Sequence, residues 1–173
     1  MAQYRVEGNI TMENVRIVNR NFRGLQGPMN ALGDRNFCVL LDDPELIRQL
    51  TEDGWNVKYF NKREDADVPQ AFLPVKISFK NKPPMVYLVT HRGKTRLTEE
   101  EDLDNLDHVD IMNVDVIIKP YNWEMPDPRT KEVFTGVKAY VVSLYITVYE
   151  DELSMKYADI SMLPTRSGAV DER

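Results

Sequence analysis

Between Val68 and Thr98 the chain carries six Lys or Arg residues (Lys76, Lys80, Lys82, Arg92, Lys94 and Arg96) and no Asp or Glu. Phe72, Phe79, Tyr87 and His91 are interleaved with them. Cations neutralise phosphates and rings stack on bases, so this mixture suits a surface that holds a single-stranded nucleic acid. It is binding chemistry, in which no covalent bond changes. The 173-residue chain has a net charge of −6, and outside the window 16 basic residues face 28 acidic ones, a sum of −12. A ligand feels the local field of its groove, while acid elsewhere keeps the protein soluble and discourages indiscriminate duplex binding.

The candidate contacts fall into groups, each with a bland alternative. Lys76 and Lys80 share a strand face with only Ser78 between them, although exposed lysines also protect sheet edges from aggregation. THRGKTRL places His91, Arg92, Lys94 and Arg96 at a hairpin tip, where a phosphate backbone or plain solvent could run, and Tyr87 precedes them. Lys119, Tyr121 and Trp123 alternate on one strand face and are the best stacking candidates, with a core or corner role as the alternative. Arg20, Phe22 and Arg23 join a strand end to a glycine loop, where Phe22 could instead cap the core. Lys58 and Tyr59 point to opposite faces of a regular strand, so one of them at most meets a ligand.

Catalysis finds little support. Arg92-Gly93-Lys94-Thr95 imitates the end of a phosphate loop, but the required earlier glycine would fall at Leu88. Glu99, Glu100, Glu101, Asp102, Asp104 and Asp107 crowd a helix start, where acid favours the dipole, and read as a solvated face. Pro126-Asp127 lacks the Asp-x-Lys or Glu-x-Lys partner of a nuclease site, and Cys38 reads as a packed thiol. One cysteine and two histidines exclude a disulfide framework and a Cys/His zinc site, so no metal, no cofactor and no catalytic residue is assigned. The sequence shows neither a signal-peptide core nor an apolar run long enough to span a bilayer, and a soluble, cytosolic protein is expected.

The elements that must position these residues are mostly strands. Period-two patterns predict strands at Val15–Phe22, Asn36–Leu41, Trp55–Phe60, Ala71–Lys80, Met85–Thr90, Asp110–Trp123 and Gly136–Glu150. Ala71–Lys80 and Met85–Thr90 read as a hairpin with a lysine-bearing tip, and Val142, Leu144, Ile146 and Val148 as the apolar face of the last strand. Asp43-Pro44 starts a short helix that stops at Gly54, and Thr98 with Glu101 forms a capping box for another. MPDPRTKEVFTG reads as a turn-rich connection, and residues 158–173 as a flexible tail. The fold class is mainly β: a small antiparallel β-barrel of OB-fold type spanning residues 1–157, with two short helices.

The order NVRIVNRNFRG, GDRNFCVLLDD, EDGWNVKYF, YLVTHRGKTRL, VDVIIKPYNWE and GVKAYVVSLYITVYEDELSMKY resembles the single-stranded DNA-binding proteins of tailed bacteriophages over roughly Asn9 to Tyr157. The resemblance implies an OB-type core that coats single-stranded DNA during phage replication and recombination in the cytoplasm of the infected bacterium, without sequence preference and without chemistry. Its partners would be single-stranded DNA and phage or host replication proteins. Many single-strand binders recruit such proteins through an acidic tail, but ADISMLPTRSGAVDER is nearly neutral, so the resemblance does not carry recruitment through this segment. The alternative function is a structural virion or assembly protein built on a β-barrel.

Overall fold

The computed structural model describes residues 6–60, 69–80 and 82–150. The strands are β1 (Ile10–Val15), β2 (Ile17–Asn21), β3 (Arg35–Leu41), β4 (Lys58–Tyr59), β5 (Ala71–Ile77), β6 (Met85–Thr90), β7 (Gly93–Leu97), β8 (Ile111–Pro126) and β9 (Val133–Val148). Helix α1 (Pro44–Asp53) follows β3, and a 3₁₀ helix (Glu100–Asp107) follows β7.

Strict alternation builds the centre of the sheet. Phe37, Val39 and Leu41 on β3 and Leu73, Val75 and Ile77 on β5 point inward, and the two strands pair antiparallel from Arg35↔Ile77 to Leu41↔Ala71. β9 is the hub. One edge pairs antiparallel with β8 from Ile111↔Val148 to Pro126↔Val133. The other edge pairs parallel with β5 at Val75↔Ala139 and with β6 from Met85↔Ser143 to Val89↔Thr147. β6 then folds back on β7. The predicted hairpin between the strands at Ala71 and Met85 is therefore absent: both lie parallel along β9, and the hairpin is β6–β7.

The sheet order β1-β8-β9-β5-β3-β2 begins and ends on two halves of one bent segment, parted by Arg16. A register irregularity between Met12 and Val15, with Asn14 at φ 54, turns the chain from β8 toward β3. The predicted Val15–Phe22 strand is only the second half of this segment. No ladder joins β1 to β2, so the sheet is not closed, and the expected barrel is corrected to an open, mainly β arrangement.

Other boundaries move for identifiable reasons. The Trp55–Phe60 strand shrinks to β4 because its start stitches α1 to β9: Trp55 N–H donates to Leu50 O, Asn56 N–H to Val137 O, and Val137 N–H to Gly54 O. β5 ends at Ile77, leaving Lys80 on the following loop. α1 is as predicted, with Asp43 accepting from Glu45 N–H at 3.0 Å and Gly54 ending the helix at φ 92. The second cap sits one residue later than predicted, with the Asp102 carboxylate accepting from Glu99 N–H at 3.1 Å.

In β9 the inward set changes parity. Val137, Ala139 and Val141 are buried, then Leu144 and Ile146. Ile117 pairs with Ser143 and Ile118 with Val141, so Val142 is an extra residue, a bulge that flips every position before it to the opposite face. The predicted even-numbered apolar face holds only beyond that bulge. The predicted tail lies outside the described residues. Among the described residues, no helix is long and apolar enough to cross a membrane.

Candidate nucleic-acid interface

Before the bulge, the outward positions of β8 and β9 meet as rungs. Lys119 pairs with Tyr140, Tyr121 with Lys138, and Trp123 with Gly136. Each rung sets a ring beside a cation until the last, where the ring lies over glycine. A Cβ built on Gly136 would stand 2.6 Å from Trp123 Cζ2, so the indole lies flat across the backbone of β9. One face of the ring is spent on that contact, and the other lies on the outer side of the sheet. Tyr121, 55% exposed, meets Tyr140 edge to face at 5.9 Å between centroids.

β5 carries this face further. Lys76 neighbours Tyr140 across the parallel pairing, and its Nζ lies 3.0 Å from the Asp34 carboxylate. Phe72 stacks on Phe60 with centroids 4.2 Å apart, beside Lys58 on β4. Beyond β5 the face drops into a cleft of about 1210 Å³, lined by Val18, Leu40, Ile47, Tyr59 and Phe60 among others. Arg16 pairs with Asp42 on its rim, and Arg48 with Glu45 and Glu52. Lys58, Lys80, Lys119 and Lys138 form no ion pair with any described residue.

The β6–β7 hairpin stands elsewhere. Lys138 and Thr147, which mark the two regions on β9, are separated by about 30 Å of strand at ~3.4 Å per residue. Here the rings have partners already: Tyr87 stacks on Tyr145 at 4.8 Å, and Lys94 Nζ sits 4.7 Å from the Tyr87 centroid. His91 is tied to Glu150, whose carboxylate accepts from the backbone N–H at 2.8 Å and contacts Nδ1 at 2.9 Å. Those contacts, the backbone one foremost, hold the Glu150 carboxyl below its ordinary pKa. Arg92, Lys94 and Arg96 remain exposed.

Three predicted contacts are taken up by structure. Phe22 is 0% exposed and stacked on Phe37, so it is a core residue and cannot reach a base. Arg20 donates to the Leu106 and Val109 carbonyls at 2.8 and 2.9 Å. Arg23 donates to Asp107, which also accepts from the Phe22 and Arg23 N–H groups. Buried Arg35 completes this clamp through Asp104, Glu100 and the Phe22 carbonyl. Burial works against its charge, but the hydrogen bonds outweigh that, and its pKa is raised. Of the acidic run, read from sequence as a solvated face, Glu100, Asp104 and Asp107 are thus tied to Arg35 and Arg23, while Glu99, Glu101 and Asp102 remain exposed. Cys38 is half buried, its thiol pKa raised by that burial.

Sequence reasoning missed Lys138, Tyr140 and Gly136. The predicted parity of the last strand sends the even positions inward, and only the Val142 bulge turns them out. Among the described residues no three His, Cys, Asp or Glu side chains gather as a metal site.

A β-sheet with one outer face set with rungs of aromatic and cationic side chains has the composition of surfaces that hold single-stranded nucleic acid. The chain belongs to the family of putative phage single-stranded-DNA-binding domains, whose model matches residues 1–172. Its fold is similar to solved structures of the single-stranded DNA-binding protein from bacteriophage Enc34. In complex with ssDNA that protein gives a TM-score of 0.53 at 12% identity, covering 83% of this chain and 88% of the other. A C-terminal truncation of it gives 0.51 at 12% identity, with 83% and 86% covered. No curated protein matches the chain in sequence.

Proposed function

We propose that this protein binds single-stranded DNA without sequence preference and coats it during phage replication and recombination, in the cytoplasm of the infected bacterium. The observation that carries the reading is the Trp123 indole laid flat on Gly136, in line with Tyr121 and Tyr140 and flanked by Lys119 and Lys138. Stacking on rings tolerates any base, and lysines with no acidic partner among the described residues suit phosphates. The pairing order, with one bent N-terminal segment shared between β3 and β8, supports an OB-type core around this face. The reading assigns no catalytic residue and no cofactor; phage or host replication proteins are its further partners.

Tryptophan fluorescence tests it. Trp55 is buried, whereas Trp123 lies on the outer face, so titration with oligo-dT quenches emission in the wild type and not in Trp123→Phe. Duplex DNA binds more weakly. Absence of oligo-dT binding at low salt would refute the proposal.

A further inference from the structure

The β8–β9 ribbon runs three rungs beyond Trp123, ending at Pro126 and Val133, into the segment predicted from sequence as a turn. Its tip is closed by Asp127 N–H donating to Glu132 O at 2.7 Å and Lys131 N–H to Asp127 O at 2.8 Å. Met125 pairs with Phe134, and both share the parity of Tyr121, Trp123 and Gly136, so they lie on the same outer face. They are 62% and 53% exposed. The intervening rung, Glu124 and Thr135, is polar and faces the other way.

Alternation that leaves a ring and a thioether in solvent is not explained by the core, because both ribbon faces are exposed at this point. The rung continues the series of Tyr140, Tyr121 and Trp123 at the strand repeat, about 6.8 Å per two residues. Lys138 and Lys119 flank that series on the same face and suit a polyanion better than an apolar protein surface.

From this continuity we infer that Phe134 and Met125 form an additional base-stacking subsite at the ribbon tip, which engages the nucleotide beyond the one on Trp123. The inference rests on the DNA-binding reading and deepens it. The subsite holds a base by its π-face and carries no charge, so it adds affinity without adding to the salt dependence.

The test is a length series of oligo-dT, titrated by anisotropy at two salt concentrations, with Phe134→Ala, Met125→Ser and Thr135→Ala. The expected result is wild-type affinity of all variants for the shortest oligomer that binds. On longer oligomers Phe134→Ala loses about 5-fold or more, Met125→Ser loses less, and the salt slope is unchanged. Thr135→Ala follows the wild type throughout. The subsite is overturned if Phe134→Ala matches the wild type at every length, if it loses equally at the shortest length, or if Thr135→Ala reproduces its loss. Failure of the wild type to bind any length removes the underlying reading as well, a different result from these three.

Discussion

The two basic regions of the molecule use opposite economies of aromatic surface. On the β8–β9 face, Trp123 rests on a glycine and Tyr121 is 55% exposed, with Lys119 and Lys138 beside them that have no acidic partner among the described residues. On the β6–β7 hairpin, Tyr87 and Tyr145 cover each other, Lys94 sits over them, and His91 is held by Glu150. Clustering of rings and cations in sequence is thus a poor guide to which rings can stack on a ligand. What distinguishes the regions is the residue across the strand: at Trp123 it is a glycine, which adds no second ring, and at Tyr87 it is Tyr145, which stacks on it.

The largest expected effect breaks the first region at that residue. Trp123→Ala weakens oligo-dT binding by about 5- to 150-fold, the worth of one base stack, with the salt slope unchanged. Gly136→Val drives the indole off the strand and weakens binding in the same direction while circular dichroism reports an intact sheet. Wild-type affinity in both variants would mean the rungs are not the site.

Next come the cations. Lys119→Ala and Lys138→Ala each lower the slope of log affinity against log salt by roughly 0.7, the signature of one lost phosphate contact on a single strand. Arg96→Ala and Lys94→Ala do the same only with oligomers long enough to reach the hairpin, about 30 Å along β9 from Lys138. An equal slope change on the shortest oligomer would erase the distinction between the regions.

The smallest effect is the tie at the hairpin tip. The Glu150 carboxyl is held below its ordinary value in the fold, so the stability it lends is present above the ordinary carboxylate range and is lost as pH falls through its folded pKa. Glu150→Gln is therefore slightly less stable than the wild type at neutral pH, and the two converge on acidification. A difference in melting temperature that persists at low pH would assign the effect to packing.

Much of the fold is legible in the sequence because its cues are local. Asp43-Pro44 and Gly54 bracket α1, and alternation gives β3, β5 and β6. What escapes is non-local. No local cue says that β5 and β6 will both lie parallel to β9 rather than pair with each other. The Val142 bulge is a single extra residue in an apolar run, yet it decides that Lys138 and Tyr140 face outward. Of the candidate contacts, Lys119, Tyr121 and Trp123 share one strand and were readable by parity. Arg20 and Arg23 were not, because their partners lie more than 80 residues away, on the 3₁₀ helix and just after it.

The position of β9 as hub has a consequence for how the protein comes into being. β5, β6 and β8 all pair with residues 133–148, so during synthesis they wait on a strand that leaves the ribosome after them. Among the described strands, only β3 with β5, β4 with β5, β2 with β3, β1 with β8, and the β6–β7 hairpin can form earlier, and none of these alone holds the core together. Until β9 is made the nascent chain exposes unpaired strand edges, and before residue 136 it has no glycine on which Trp123 can lie, so competence for the ligand arrives late.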